Sequence, residues 1–415
     1  MSASAVSTFL AGMLMLVVLP ECWSQKETGD EQYSPILLEK RFHNKNGVYV
    51  KPKEDLPGIE YLDSNKEIPL LKPFVDYYVN NLGYKRGKSI RGSTYDWRRG
   101  ANEIKKSTGF FPRTKYIIED MYTKNGNRSL TLVCFSMGCP VTHHLLTRTG
   151  LTQEWKDKHI HAYVTVVGAW AGGVHFLQAV SSGTAADTLL GKLENLGSSI
   201  KNVLGTYLSY LERSFEGLYW LMPRTPIWND EVLVSTPSGD YTAKQYEQMF
   251  KDFGKGFEHS YAKFTTAIST GADFPAPNVR TYCLYSLGVD TPEHLEYTKA
   301  EIRGQTPIIT MGDGDGVINA KNAEVCLQWK NMKNHKFVSY VCRGLQHNNI
   351  CGTDLYPYIG KIVKIPQSET NSEMNKKKMK FDESVALLEA IGEKFRSSEV
   401  TVQEEIVHIL EKLID

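Results

Sequence analysis

The chain has 415 residues, of which 41% are hydrophobic and 23% charged, a composition that suits one large globular domain or two. Lys and Arg (48) balance Asp and Glu (47) to a net charge of +1, so nothing in the charge calls for nucleic acid, and there is no acidic tail.

An apolar run ending at Leu19 is too short to span a bilayer, and Pro20, Cys22 and Ser24 follow it. This pattern predicts a signal peptide over residues 1–24, cleaved near Ser24, and a mature chain in the secretory pathway. No other segment approaches the ~20 apolar residues of a membrane span. That route permits disulfides. Cys134, Cys139, Cys283, Cys326, Cys342 and Cys351 remain after cleavage, and composition does not choose among their pairings. Asn127-Arg-Ser129 is an N-glycosylation acceptor triplet, a pattern that also arises by chance.

Residues 26–68 are polar and weakly patterned. Leu70, Leu71, Phe74, Val75, Tyr78 and Leu82 then repeat at helical spacing, and Gly83 ends the helix. Next comes Arg91-Gly-Ser-Thr-Tyr-Asp-Trp-Arg-Arg99. At Leu130-Thr-Leu-Val-Cys-Phe-Ser136-Met-Gly138 a strand pattern runs into a serine, and a helical pattern from Pro140 to Leu146 follows. Strand, sharp turn with a serine, then helix is the geometry of a nucleophile elbow. Such a turn asks for small flanking residues. Gly138 meets this at +2; Cys134 at −2 meets it less well. The structural alternative is a buried strand with an incidental turn.

Residues 161–167 read as a buried strand, and Gly168-Ala-Trp170-Ala-Gly-Gly173 as its loop. Alternating helix and strand patterns predict an α/β fold, a parallel sheet covered by helices. From about 175 to 235 the strand rhythm stops, and Leu, Tyr and Trp residues crowd together, among them Trp220, Leu221 and Trp228. This predicts a helical cap insertion. It either packs its own small core or offers an exposed apolar face as a lid or membrane contact. Strand patterns resume at 279–285, 306–311 and 336–341. Residues 366–380 are a Lys-rich polar linker. Two short amphipathic helices follow, one carrying Val385, Leu388, Ile391 and Phe395, the other capped by Thr401 with Glu404. The domains are then 1–24, 25–364 with the insertion, and 365–415.

A serine hydroxyl needs a base to take its proton and a third group to orient that base. Downstream of Ser136, the strand near Met311 delivers Gly312-Asp313-Gly-Asp315-Gly316, and the strand near Val341 delivers Gly344-Leu-Gln-His347. Strand-end loops would put these side chains on one edge of the sheet. Each piece alone has a plainer reading. The Gly-Asp run can be a turn, and it lacks the further acidic ligands of a calcium loop. A single loop His is most often a surface residue. Order and placement together favour a Ser–Asp–His site, with either Asp as orienter and no metal or cofactor.

The chain resembles the lecithin–cholesterol acyltransferase and lysosomal phospholipase A2 (group XV) family of α/β-hydrolases, over roughly residues 45–364. The matching stretches are Arg91–Arg99, Ser136-Met-Gly138, Trp155-Lys-Asp-Lys158, Gly168-Ala-x-x-Gly-Gly173, Cys283-Leu-Tyr285, Thr291-Pro292, Gly312–Asn319, Cys326 with Trp329, and His347. The resemblance implies an α/β-hydrolase fold with Ser136 as nucleophile, Asp315 as orienter and His347 as base. It also implies a Cys283–Cys326 disulfide. The backbone N–H of Met137 becomes an oxyanion donor. Trp170, Trp220, Leu221 and Trp228 are candidates for substrate or lid contacts.

Three departures stand out. Phe135 replaces the family's His before the nucleophile, and Trp170 lies one place early in its loop. Between the signal peptide and Arg41 the family's early strand, Pro-Gly-rich oxyanion loop and disulfide-closed membrane loop are not found, so the N-terminal part of the fold reads as incomplete. The implied activity is a phospholipase or acyltransferase working peripherally on a phospholipid membrane or lipoprotein surface, with a lipid alcohol as a potential acceptor. The implied residence is lysosomal or extracellular. Two other readings stay open: a weakly active or non-catalytic lipid-binding relative, and a lipase for another lipid ester.

Overall fold

A computed structural model describes residues 55–61, 71–107, 109–182, 210, 212–269, 273–300, 302, 305–332, 335–347, 356 and 359. The expected signal peptide, most of the polar N-terminal stretch, residues 183–209 of the insertion and the two C-terminal amphipathic helices lie outside the described residues. Among the described residues no helix is long and apolar enough to cross a membrane.

Four parallel strands form the first sheet, in the order β1 (Leu130–Phe135), β2 (Ile160–Val166), β5 (Thr281–Leu287), β8 (Phe337–Arg343). β5 is buried along its whole length and β2 almost so, as strands covered by helices on both faces must be. Registers run Phe135 to Val166, Val166 to Leu284, and Leu284 to Tyr340. These pairings bring the carboxyl ends of all four strands to one rim. Among the described residues β1 pairs on one flank only, and its Val133 is 40% exposed. The helices Phe110–Lys124 and Gly138–Arg148 flank β1 in sequence. Helix Lys72–Leu82 ends at Gly83, whose φ of 73° is the left-handed cap that the pattern predicts.

The expectation of one parallel sheet needs correction. A second, mixed sheet runs in the order β4 (Gly239–Tyr241), β3 (Val234–Thr236), β6 (Val289–Glu296), β7 (Ile308–Gly314). The chain passes from the first sheet to the second through Gly288, where a φ of 87° lets β5 run almost directly into β6. β7 returns antiparallel to β6 and ends beside its start, through a bridge between Val289 and Asp315. Asp315 thus reaches the carboxyl end of β5 from the second sheet.

Helix Tyr246–Phe253 buries Tyr246, Met249, Phe250 and Phe253, a full turn-by-turn stripe; Phe250 stacks on Phe257 and Tyr246 meets Phe264 edge-on. Behind the rim the core is aromatic. Trp170 meets Trp329 edge-on at 5.2 Å between ring centroids, and His143 stacks flat on Trp329 at 5.4 Å. Cys283 of β5 and Cys326 form a disulfide across this core.

The expected exposed face of the insertion is not built from the residues singled out for it. Trp170, Trp220, Leu221 and Trp228 are all buried in the same core. Their large apolar area is better satisfied inside the domain than at a surface. They join the domain's main core and not a small core of the insertion's own.

Two tests follow from this core. The disulfide closes a 43-residue separation, and the chain-entropy relation gives about 4 kcal/mol for such a loop. The double variant Cys283→Ala/Cys326→Ala is expected to lose stability of that order in urea titration, and to become insensitive to reductant at this site. His143 Nε2 lies 2.7 Å from the Pro275 carbonyl, and burial pushes its imidazole from the ordinary 6.5 down to about 4. The folded state therefore refuses a proton that the unfolded chain accepts. Stability from this residue is whole above pH 6.5 and falls as pH drops toward 4, by about 2 kcal/mol at pH 5. His143→Gln should flatten the dependence of the urea midpoint across that window.

Candidate active site

At the end of β1 the backbone turns sharply. Ser136 has a φ of 50°, in the left-handed region that non-glycine residues rarely enter. Three backbone bonds hold it: Ser136 N–H donates to Val166 O (2.9 Å), and Ser136 O accepts from Cys139 N–H (3.0 Å) and Ala169 N–H (3.2 Å). The strain sits on the serine itself and not on its small neighbour. A Cβ at Gly138 would meet Cys134 Cβ and Tyr95 Oη at 3.9 Å, ordinary contact, so the expected demand for a small residue there is mild.

The three residues singled out by order in the chain meet at this point. His347 Nε2 is 3.0 Å from Ser136 Oγ, and His347 Nδ1 is 2.7 Å from Asp315 Oδ2. Asp315 is fully buried and His347 is 1% exposed. The tautomer that satisfies both contacts has Nδ1–H donating to the carboxylate, leaving Nε2 to accept the serine hydroxyl proton. The other carboxylate oxygen, Oδ1, accepts from Val317 N–H (3.0 Å) and Ile318 N–H (2.7 Å). His347 N–H donates to Asp315 O at 2.8 Å, and Ser286 Oγ donates to Leu345 O at 2.6 Å, so the His loop is fastened to the Asp turn and to β5. Asp313 points elsewhere: it is exposed and accepts from Gly288 N–H at 2.6 Å. Phe135 packs its ring on His347, 5.1 Å between centroids, in place of a polar neighbour.

Met137 begins the helix Gly138–Arg148, so its amide belongs to a helix N-terminus, where partial positive charge collects. Asn127 lies exposed on a turn before β1. Among the described residues no group of three or more His, Cys, Asp or Glu is arranged to hold a metal.

The loop after β2 is fixed by contacts the sequence did not reveal. Ala171 N–H donates to Asn322 Oδ1 (2.6 Å), Gly173 N–H to Leu221 O (2.9 Å), and Trp228 Nε1 to Gly172 O (3.1 Å). Buried Arg224 reaches the Trp170 and Trp220 carbonyls. Gly172 has a φ of 80°, and a Cβ on it would strike Met222 O at 1.9 Å, so this position accepts only glycine. His175, at the start of the next helix, was also missed. Burial pushes it down to about 4, with His347 repelling its charged form and Asp315 favouring it. A neutral His175 leaves the Asp315 charge to His347. Its only signal in the sequence is its place just past Gly173.

The family model described as Lecithin:cholesterol acyltransferase matches residues 12–354, and the chain belongs to that family. The "Lysosomal phospholipase A and acyltransferase" of Homo sapiens is 31% identical over 339 residues, 80% of this chain and 76% of the relative. The Mus musculus protein of the same description is 32% identical over 358 residues, 85% and 81%. The "Phosphatidylcholine-sterol acyltransferase" of Gallus gallus is 30% identical over 325 residues, 76% and 72%. A solved structure, "The crystal structure of Tle4-Tli4 complex", aligns with a TM-score of 0.38 at 12% identity over 74% of this chain and 78% of that one.

The geometry separates the two aspartates. Asp315→Asn is expected to slow fluorophosphonate labelling of Ser136 by roughly 10⁴-fold, on the scale of a lost triad carboxylate. Asp313→Asn, whose carboxylate only anchors the Gly288 amide, should stay within about tenfold. Rates of active-site labelling for the two folded variants decide the assignment, and a reversed ranking makes Asp313 the orienter.

Proposed function

We propose that this chain is a serine-dependent phospholipase and O-acyltransferase with an α/β-hydrolase fold. The observation that carries this reading is the buried chain Ser136 Oγ to His347 to Asp315 at the carboxyl rim of a parallel sheet. His347 Nε2 takes the hydroxyl proton as Ser136 Oγ attacks the ester carbonyl carbon. The carbonyl oxygen becomes an oxyanion, facing the Met137 amide as donor. Collapse of the tetrahedral intermediate breaks the ester bond. The proton on His347 goes to the leaving lysophospholipid oxygen, and Asp315 stabilises the imidazolium between the two transfers. Water, or the hydroxyl of a lipid alcohol, then attacks the acyl-enzyme by the same route in reverse. The first gives a fatty acid, the second a new ester.

The choice of phospholipid as substrate rests on the family, whose matched members are described as phospholipase A/acyltransferases and a phosphatidylcholine-sterol acyltransferase. Under this reading the protein works at a phospholipid membrane or lipoprotein surface, in the secretory pathway with a lysosomal or extracellular destination. Asn127 is a glycosylation site on an exposed turn. The Met137 N–H is the oxyanion donor this reading assigns, and the family match itself extends from residue 12. Losing one such donor typically costs ~10²–10³ in kcat.

The test is turnover of the full chain on phosphatidylcholine vesicles, with and without a long-chain alcohol. Fatty acid release is expected, with part diverted to the alcohol ester when acceptor is present. Ser136→Ala should abolish both products while vesicle binding persists. Vesicle binding without product in wild type would instead favour a lipid-binding protein. Hydrolysis confined to neutral lipid emulsions would favour a lipase. Turnover equal to that of the human relative would mean that a second oxyanion donor is supplied from elsewhere in the chain.

A further inference from the structure

Two cysteines bracket the serine in Cys134-Phe-Ser136-Met-Gly-Cys139. Cys134 is the fifth residue of β1 and Cys139 the second of the following helix, and the turn folds their side chains together. Their sulfurs lie 2.6 Å apart. That is well inside the contact distance of two non-bonded sulfurs and only about 0.5 Å beyond a disulfide bond. Both side chains are buried, with Cys134 Sγ 3.5 Å from Val164 O and Cys139 Sγ 3.6 Å from Val166 O. The same chain already carries Cys283–Cys326, so its fold contains a bond made by thiol oxidation.

We propose that Cys134 and Cys139 form a second disulfide, a covalent clasp across the turn that carries Ser136. The oxidant is a small-molecule disulfide of the glutathione class. One cysteine thiolate attacks it, releasing one small thiol and forming a mixed disulfide. The second thiolate displaces the other small thiol as the Cys134–Cys139 bond forms. Two cysteine thiols are oxidised and one disulfide is reduced, with two protons passing to the departing thiolates. Because both sulfurs are covered in the folded chain, the exchange belongs to folding, before β1 is packed. Closing the bond needs only a small approach of the sulfurs, and the contacts of Ser136 with Val166, Ala169 and His347 are compatible with it. The clasp ties the strand end to the first helical turn, against the tendency of a left-handed serine to relax.

The chain itself supplies a clean assay. No Lys or Arg lies between Ser129 and Arg148, so trypsin releases both cysteines in one peptide, Ser129–Arg148. The full chain is secreted from eukaryotic cells, denatured in alkylating reagent without reductant, and digested. The expected peptide is two hydrogens lighter than the dithiol form and carries no alkyl group. Prior reduction converts it to the doubly alkylated form. The peptide containing Cys342, also outside the Cys283–Cys326 bond, serves as the alkylation control. A predominantly dialkylated Ser129–Arg148 peptide without reduction overturns the proposal. So does a predominantly glutathione-bearing one, which shows sulfurs that react singly. The mass is read whether or not Ser136 is catalytic, so this result stands apart from the hydrolase reading.

Discussion

Ser136 sits at a φ of 50°, in a region that costs an L-residue roughly 1–3 kcal/mol, and the site exists because its surroundings hold it there. The hold is the register between β1 and β2. Phe135 pairs with Val166, so the next amide, that of Ser136, falls on the Val166 carbonyl. The following loop then returns Ala169 N–H to the Ser136 carbonyl. A slip of one residue would move every β1 side chain to the opposite face and take Oγ away from the rim. The β-branched residues that make β1 and β2 good strands therefore also aim the serine.

The orienting carboxylate depends on a different constraint. Asp315 is fully buried, and an unpartnered carboxylate in such a place would be costly. Two amides on Oδ1 and the imidazole on Oδ2 satisfy it. The turn that offers those amides closes through Asp315 N–H to Ile318 O, with Thr291 Oγ1 accepting from Gly316 N–H at 2.8 Å. Gly314 has to be a glycine in this packing, since a Cβ would meet Ile318 O at 2.3 Å and Thr291 Oγ1 at 2.5 Å. The Gly-Asp-Gly-Asp-Gly run thus holds one aspartate for the imidazole and one, Asp313, for the joint at Gly288.

What could be read from the chain follows from which signals are local. The strands of the parallel sheet are short apolar runs whose pattern falls within two residues of the observed ends: 161–167 against Ile160–Val166, 336–341 against Phe337–Arg343. Candidate site residues stood out because their order and their places after strands are sequence properties. Of the second sheet only β7 is legible, since the strand pattern at 306–311 falls on Ile308–Gly314. β6 reads Val-Asp-Thr-Pro-Glu-His-Leu-Glu, polar and interrupted by Pro292, and it is a strand because its neighbours β3 and β7 pair with it. Helix Tyr246–Phe253 carries a legible stripe at i, i+3, i+4 and i+7, preceded by the Thr242–Gln245 capping box. Burial of Trp220 and Trp228 was beyond reach, since an apolar stretch looks alike whether it faces a lipid or a core.

The stretch Arg91–Arg99 shows why a family motif need not be chemistry. Its charged groups are largely spent on architecture. Asp55 accepts from Arg91 Nε (2.8 Å) and from Gly92 N–H (2.7 Å), tying the first described helix to the motif. Asp96 takes both Arg98 Nε (2.7 Å) and Arg98 Nη2 (2.6 Å) in a buried fork. From there the backbone reaches the insertion: Gly217 N–H donates to Arg98 O (2.8 Å), and Gly100 N–H to Glu216 Oε2 (3.3 Å). A Cβ at Gly217 would stand 2.1 Å from Trp97 O, so the two segments touch backbone to backbone. A buried ion pair of this kind adds little net stability over a well-packed apolar pair, because desolvation offsets the attraction. Its directional bonds define one docking geometry, which apolar contacts at the same place would leave loose. The segment after Glu216 carries Leu221, Arg224 and Trp228, the residues that fix the loop beside Ser136. The ion pair is thus joined to the loop beside Ser136 through the backbone of the insertion.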